Sequence, residues 1–359
     1  MKNRLELEVL TPLHVGNGNV FTSIDFVIEN KNFIKMDFDK FAGYCIENNI
    51  SLVEEINKEK EDFKMEDFLK KNNLNPTDFS QYSIPMKIDF DRIRNTKPQI
   101  REFIKNIEGF PYIPGSSIKG AIRTALLWKI VSEEKVFDYC KELLEKKYIK
   151  PNEACIRLEK EIFGKEPHYD ILRALRISDT LPFSLSSLEI NEIKIVGNPR
   201  TIPTYIESIK RGEKTSFYFR IDNELLNKHI FKENLVKEYM KKEEIFKICS
   251  EFSKEIILKQ LNYKFSNVTK NVFYKLKDEI ENCKENEMIL NLGWGGGWHA
   301  KTIGLKAEKF EEWEKGRNLR KKLGLGRNPK TGKFVLKFPK TRRVSYNNEY
   351  PLGWVKIRG

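Results

Sequence analysis

The segment YIPGSSIKGAIRTAL, Tyr112 to Leu126, constrains this chain more than any other stretch. Pro114 closes an extended run, Gly115 turns the backbone, and Ser116 and Ser117 are residues of the type that cap a helix. Ile118, Ala121, Ile122, Ala125 and Leu126 then recur with the helical period, so one face must be buried on another layer. Ser116, Lys119, Gly120 and Arg123 fall on a different face. Backbone N–H groups at a helix start, a hydroxyl and two cations together suit a phosphate. Nothing in the turn is equipped to break a bond, so the segment reads as a holder of anions.

A chain of 359 residues, 40% apolar and 12% aromatic, has material for two ordinary domains. Apolar runs are short and interrupted by charge, and no N-terminal stretch has the pattern of a secretion signal, so a cytoplasmic protein without membrane contact is expected. Cys45, Cys140, Cys155, Cys249 and Cys283 show no CxxC spacing and read as free thiols. His14, His168, His229 and His299 are equally scattered, so neither a metal nor a cofactor is expected.

The net charge is +13, and it is concentrated. From Glu314 to Gly359 there are 14 Lys or Arg against 2 Glu, so 12 of the 13 net charges lie there. Trp313, Phe334, Phe338 and Tyr346 interleave these cations. That pattern fits a folded surface for nucleic acid better than a solvated tail.

Strand-like alternation appears in LELEVL (5–10), in the run from Phe21 to Met36, and in LEINEIKIVG and TSFYFRID. Leu175–Ile177, Met288–Leu292 and YPLGWVKI read as further strands. Helices are expected after Gly115, from Glu133 to Lys147 and from about Glu224 to Lys259. The order strands, helices, glycine turn, strand occurs twice. This predicts an α+β protein of two ferredoxin-like domains, 1–186 and 187–359. The first would carry a helical insertion over about 38–108. The second would carry a Gly-rich loop, 293–297, and the basic C-terminal segment.

Several clusters qualify as sites. GWGGGWHAKT holds Trp294, Gly295, Gly296, Gly297, Trp298, His299 and Lys301. It is one residue away from a nucleotide-binding P-loop, with Ala300 where the last glycine belongs. A loop that lies close to a backbone, with tryptophans for stacking, is the better reading. His14, Gly16 and Gly18 form a second glycine loop, in which His14 could act as general base on a 2′-hydroxyl. Packing or hydrogen bonding is the alternative role for that histidine. Arg176 sits beside Asp179, which reads as a turn cap or an orienter of arginine. Arg200, Glu207, Lys210, Arg211 and Lys214 lie next to a strand and would make either a charged strand edge for RNA or an ordinary solvated turn.

The ordered set LTPLHVGNG, YIPGSSIKGAIRTAL, LRISDTLPF, PTYIESI, the glycine loop before WHAKT and YPLGWVKI resembles the RAMP superfamily of CRISPR proteins. Within it, the chain is similar to the subunit of type III-A (Csm) effector complexes that caps the 3′ end of the guide RNA. The resemblance implies two ferredoxin-like folds, binding of guide RNA (crRNA), and contact with neighbouring RAMP backbone subunits. It also implies a supporting role in 3′ trimming by a recruited cellular exonuclease, with no catalytic residue of its own. The alternative within the superfamily is a metal-independent endoribonuclease that processes precursor guide RNA through His14.

Overall fold

A computed structural model describes residues 3–90, 93, 98–150, 154–197, 203–231 and 234–359. The strands in chain order are β1 (Arg4–Val9), β2 (Gly16–Phe21), β3 (Phe26–Glu29), β4 (Asn32–Met36), β5 (Ser80–Lys87), β6 (Ile100–Phe103) and β7 (Leu175–Ile177). They continue with β8 (Leu188–Val196), β9 (Thr204–Ile209), β10 (Lys214–Ile221), β11 (Glu287–Asn291), β12 (Arg342–Ser345) and β13 (Trp354–Arg358). The longer helices are α1 (Phe38–Glu47), α2 (Leu52–Glu59), α3 (Met65–Lys71), α4 (Gly115–Ile130), α5 (Glu133–Glu145), α6 (Ile156–Phe163), α7 (Lys242–Leu261) and α8 (Asn267–Glu281).

The protein is α+β with two sheets. One has five strands in the order β11-β13-β1-β10-β7. Leu5, Leu7 and Val9 of β1 alternate into the core, which fixes its register between β10 and β13. The other sheet runs β2-β6-β9-β8-β5-β4-β3, and β12 adds to β8. Helix α4 buries Ile118, Ala121, Ile122, Ala125 and Leu126, the stripe read from the sequence, and packs on β7 and α7. The N-terminal and middle motifs thereby share one core with α7, which covers β11.

The division expected at 186/187 does not separate the sheets. β1 is central and must be paired along both edges, and its partners come from residues 214–221 and 354–358. The second sheet likewise joins β5 to β8 and β6 to β9 across that division, through parallel pairs. The insertion also needs correction. Residues 38–79 are largely helical, with Asp37 capping α1, and they build a small core of their own around Phe41, Phe68 and Phe79. Residues 80–87 and 100–103 are instead strands of the second sheet. The run from Phe21 to Met36 folds as a hairpin. Asn30 and Lys31 at its turn both have positive φ, the geometry that suits strand twist.

Candidate nucleic-acid interface

The helix start at Gly115 is the first site to examine, and its own protein fills it. The Gly115 N–H donates to Asp179 Oδ1 at 2.8 Å. LRISDTLPF runs alongside YIPG, where the Ile113 N–H donates to Thr180 Oγ1 and the Thr180 N–H to the Ile113 carbonyl. A Cβ on residue 115 would stand 2.5 Å from the Ile177 carbonyl oxygen, so glycine is required for this close approach. The Lys119 ammonium donates to the Leu175 carbonyl at 2.8 Å, and burial pushes its pKa down. Arg123 pairs with Asp170 at 2.6 Å and Glu159 at 3.2 Å, and its guanidinium lies over the Phe163 ring. Ser116 is exposed and Ser117 half-buried. The glycine N–H expected to hold an anion is thus taken by a carboxylate of the chain, Arg123 is paired with two further carboxylates, and Lys119 is tied to a backbone carbonyl.

The two glycine loops, far apart in sequence, meet. The Trp294 N–H donates to the His14 carbonyl at 2.8 Å, and the His14 and Trp294 rings pack edge to face at 6.1 Å. Gly293, at φ +65°, lies directly against the His14 carbonyl, where a side chain would clash. His14 is 2% exposed, and its Nδ1 lies 2.6 Å from the Glu207 carbonyl, so it carries the proton there and donates it. Burial lowers its pKa to about 4, with Arg101 and Lys105 as minor causes. Gly16 lies beside His14 Nε2, where a Cβ would stand only 2.9 Å from that nitrogen. This histidine is buried, hydrogen-bonded through Nδ1 and packed against Phe103 and Trp294. Gly18 is open, on the exposed edge strand β2.

Glu207, within the YIESI motif, is fully buried beneath this junction. Its carboxylate accepts from Tyr82 Oη at 2.6 Å, the Phe103 N–H at 2.8 Å and Lys105 Nζ at 2.6 Å. Three motifs read separately in the sequence therefore form one scaffold.

Two arginines that the sequence reading did not single out stand on that scaffold. The guanidinium carbon of Arg343, on β12, is 4.7 Å from the Trp294 ring centroid, and that of Arg101, on β6, is 5.6 Å away. Trp294 itself is half-buried. No carboxylate pairs with either arginine among the described residues. Burial and the nearby Arg101 charge push the Arg343 pKa below its ordinary value.

The rest of the glycine loop divides by role. Gly295 lies against Leu352 and Gly296 against the Asn291 side chain, while Gly297 is open. Trp298 stacks on Trp313 at 5.4 Å and meets Phe338 edge-on, so it anchors the basic segment and offers no free face for a base. His299 is buried with Nε2 2.8 Å from Glu308. Lys301 keeps an exposed portion, but its ammonium is crowded by protein, which lowers its pKa to about 8. The nearest carbonyl, of Asn291, is 3.5 Å away. The P-loop likeness ends there, since only a four-residue helix, Gly304–Ala307, follows.

Part of the basic segment is tied down. Arg317 pairs with Glu145, Arg320 is buried, and Arg358 pairs with Glu8. Arg327, Lys330, Lys333, Lys337 and Lys340 are exposed, with no carboxylate partner among the described residues. Phe338 fixes this lobe to the glycine loop through Trp298. Arg176 pairs with Asp222, Lys210 donates to the Ser186 carbonyl, and Arg211 lies over Tyr350, so these three do not join the cluster. Arg200 lies outside the described residues. Among the described residues there is no cluster of three or more metal-type ligands, and no helix is long and apolar enough to cross a membrane.

The family model for the RAMP superfamily matches residues 6–300. The chain belongs to the RAMP superfamily. This RAMP chain is 28% identical to the Methanocaldococcus jannaschii CRISPR system protein Csm5, over 98% of its own length and 88% of the relative's. It is 32% identical to Streptococcus thermophilus Csm5, over 60% of this chain and 62% of that one. In structure it matches a chain of a Csm–crRNA–target RNA ternary complex from a type III-A CRISPR-Cas system, with TM-score 0.80 and 28% identity, covering 99% of this chain and all of that one. Csm5 from T. onnurineus shares the fold at TM-score 0.71 and 24% identity, over 98% of this chain and 99% of that one.

Proposed function

We propose that this RAMP chain is an RNA-binding subunit of a type III-A CRISPR effector complex that holds the 3′ portion of the guide RNA without cutting it. The observation that carries the reading is two sets of cations without carboxylate partners among the described residues: Arg101 and Arg343 on Trp294, and the exposed Arg327, Lys330, Lys333, Lys337 and Lys340 of the lobe that Phe338 fixes to the glycine loop. Uncompensated cations beside aromatic rings suit a flexible polyanion, and they place no demand on base sequence. Likeness to a chain of a Csm–crRNA–target RNA complex supports crRNA and neighbouring RAMP subunits as partners. Recruitment of a cellular exonuclease for 3′ trimming belongs to the same proposal. His14, enclosed and hydrogen-bonded, gives no support to the endoribonuclease alternative.

The finer architecture is also a proposal. β1, β7, β10 and β13 stand in the order β13-β1-β10-β7, all antiparallel, with α4 and α7 on the crossovers. That order supports one ferredoxin-like unit, with β11 added at its edge. Residues 1–186 and 187–359 would then act as two interleaved halves, with the eight-stranded sheet as the second unit.

Expression of the tagged chain in cells that carry its neighbouring genes and a CRISPR array tests the function. Co-purification of guide RNA of uniform length with other RAMP subunits is expected. Recovery of the folded chain without RNA and without RAMP partners would overturn it.

A further inference from the structure

The arginine pair on Trp294 differs from the other arginines in a way that identifies what it holds. Arg123, Arg176, Arg317 and Arg358 each close on carboxylates of the chain. Arg101 and Arg343 are brought to one indole ring, 5.6 and 4.7 Å from its centroid, with no such partner among the described residues. Two like charges gathered at one place are unfavourable unless an anion joins them.

Their supports are rigid. Arg101 stands opposite Val20 and Ile206 in the interior of a sheet, and Arg343 opposite Ile195. Trp294 is held by the His14 carbonyl, and Gly293 allows that approach. The ring therefore acts as a spacer that fixes the guanidinium groups while leaving their N–H forks without a partner among the described residues. A planar fork with five donors matches phosphate oxygens, and two forks facing one group surround it.

We propose that Arg101 and Arg343 together grip a single phosphodiester of single-stranded RNA, with Trp294 setting the distance between them. The proposal rests on the RNA-binding function above and adds to it a defined seat: one phosphate shared by two arginines, distinct from the diffuse attraction of the 327–340 lobe.

Sharing has a measurable signature, because each neutralised phosphate of a single strand contributes about 0.7 to the slope of log affinity against log salt. The full chain is titrated with a single-stranded guide 3′ fragment at several salt concentrations. The double Arg101→Ala, Arg343→Ala variant should lower the slope by about 0.7, and neither single variant should lower it by more. A double variant that loses about twice that would mean two separate phosphates and would overturn the clamp. A second measurement needs no variant. Methylphosphonate is placed at one linkage at a time in the RNA, and the wild-type protein should lose affinity sharply at a single linkage. Equal losses at all linkages would also overturn it. RNA binding that neither arginine affects defeats the clamp alone. Absence of salt-dependent RNA binding by the wild type defeats the clamp together with the function on which it rests.

Discussion

The helix start at Gly115 and the loop at Gly293 look alike as sequences, since each sets glycine, cations and a strand-to-helix transition together. In the fold they are opposites. At Gly115 the chain supplies its own anion: Asp179 takes the glycine N–H, and Asp170 and Glu159 take Arg123. At Gly293 no carboxylate among the described residues pairs with Arg101 or Arg343. The lesson is that a phosphate-like turn is informative only when its positive charge is left uncompensated. The first turn ties strands to helices, and the second carries the ring on which both arginines lie.

The largest effect that would sharpen this contrast is expected from Gly115→Ala. Its Cβ would press on backbone oxygens of residues 177 and 178, which cannot retreat without breaking β7. A loss of about 3 kcal/mol is expected in denaturant unfolding. RNA affinity per folded molecule should be unchanged. A near-neutral change in stability would break the assignment of this turn to packing.

An effect of similar size comes from His14, which anchors the opposite region. The unfolded chain takes up a proton near pH 6.5, whereas the folded histidine resists until about pH 4. Stability contributed by the neutral ring is therefore present above pH 6.5 and lost as the pH falls toward 4, about 3 kcal/mol in all. His14→Gln should flatten this part of the stability–pH profile. An unchanged slope between pH 6.5 and 4 would show that His14 is accessible in the fold and would reopen its role as a base.

Smaller still is the effect of Asp179→Ala. Loss of the cap should cost about 1 kcal/mol in unfolding. Because Arg123 stays paired with Asp170 and Glu159 in this variant, RNA affinity should not rise. Tighter RNA binding by this variant would show that the carboxylate blocks a true anion seat and would erase the difference between the two turns.

The smallest expected effect is the most direct test. Lys119→Ala combined with Arg123→Ala should cost about 1 kcal/mol of stability and leave the salt slope of RNA binding as it was. A slope reduced by about 1.4 would place RNA at the helix start after all.

The fold was legible where burial is one-sided. LELEVL, TSFYFRID and the stripe in α4 alternate or recur because one face meets the core, and they lie where the pattern puts them. β5 and β6 were hidden in a stretch that reads as helical. β5 does alternate, but through SQYSIPMK, in which serine, glutamine and proline obscure the apolar set, and β6 has only four residues. The block from Glu224 is broken into short turns before α7 begins at Lys242, since its charged residues support helix locally but give no continuous buried face.

For the site, His14 and Trp294 were each recognisable, but their meeting depends on pairing between distant strands. Arg343 is one of many cations in its segment, and Arg101 lies inside the stretch taken as helical. Neither has a local signal. Glu207 of YIESI reads in the sequence as part of a charged strand edge, but it is fully buried, and the clue to that is its place between Ile206 and Ile209 in a strand.

The pairing of β1 with β13 has a consequence for biosynthesis. The hydrogen bond from the Trp354 N–H to Thr11 Oγ1 joins residues 343 positions apart. At ordinary translation rates the ribosome needs on the order of tens of seconds to cover that distance. Throughout that interval one edge of the apolar strand at the centre of the first sheet has no partner. A nascent chain of this kind is exposed to edge-to-edge association until its final strand emerges, and chaperone occupancy should persist on it until then.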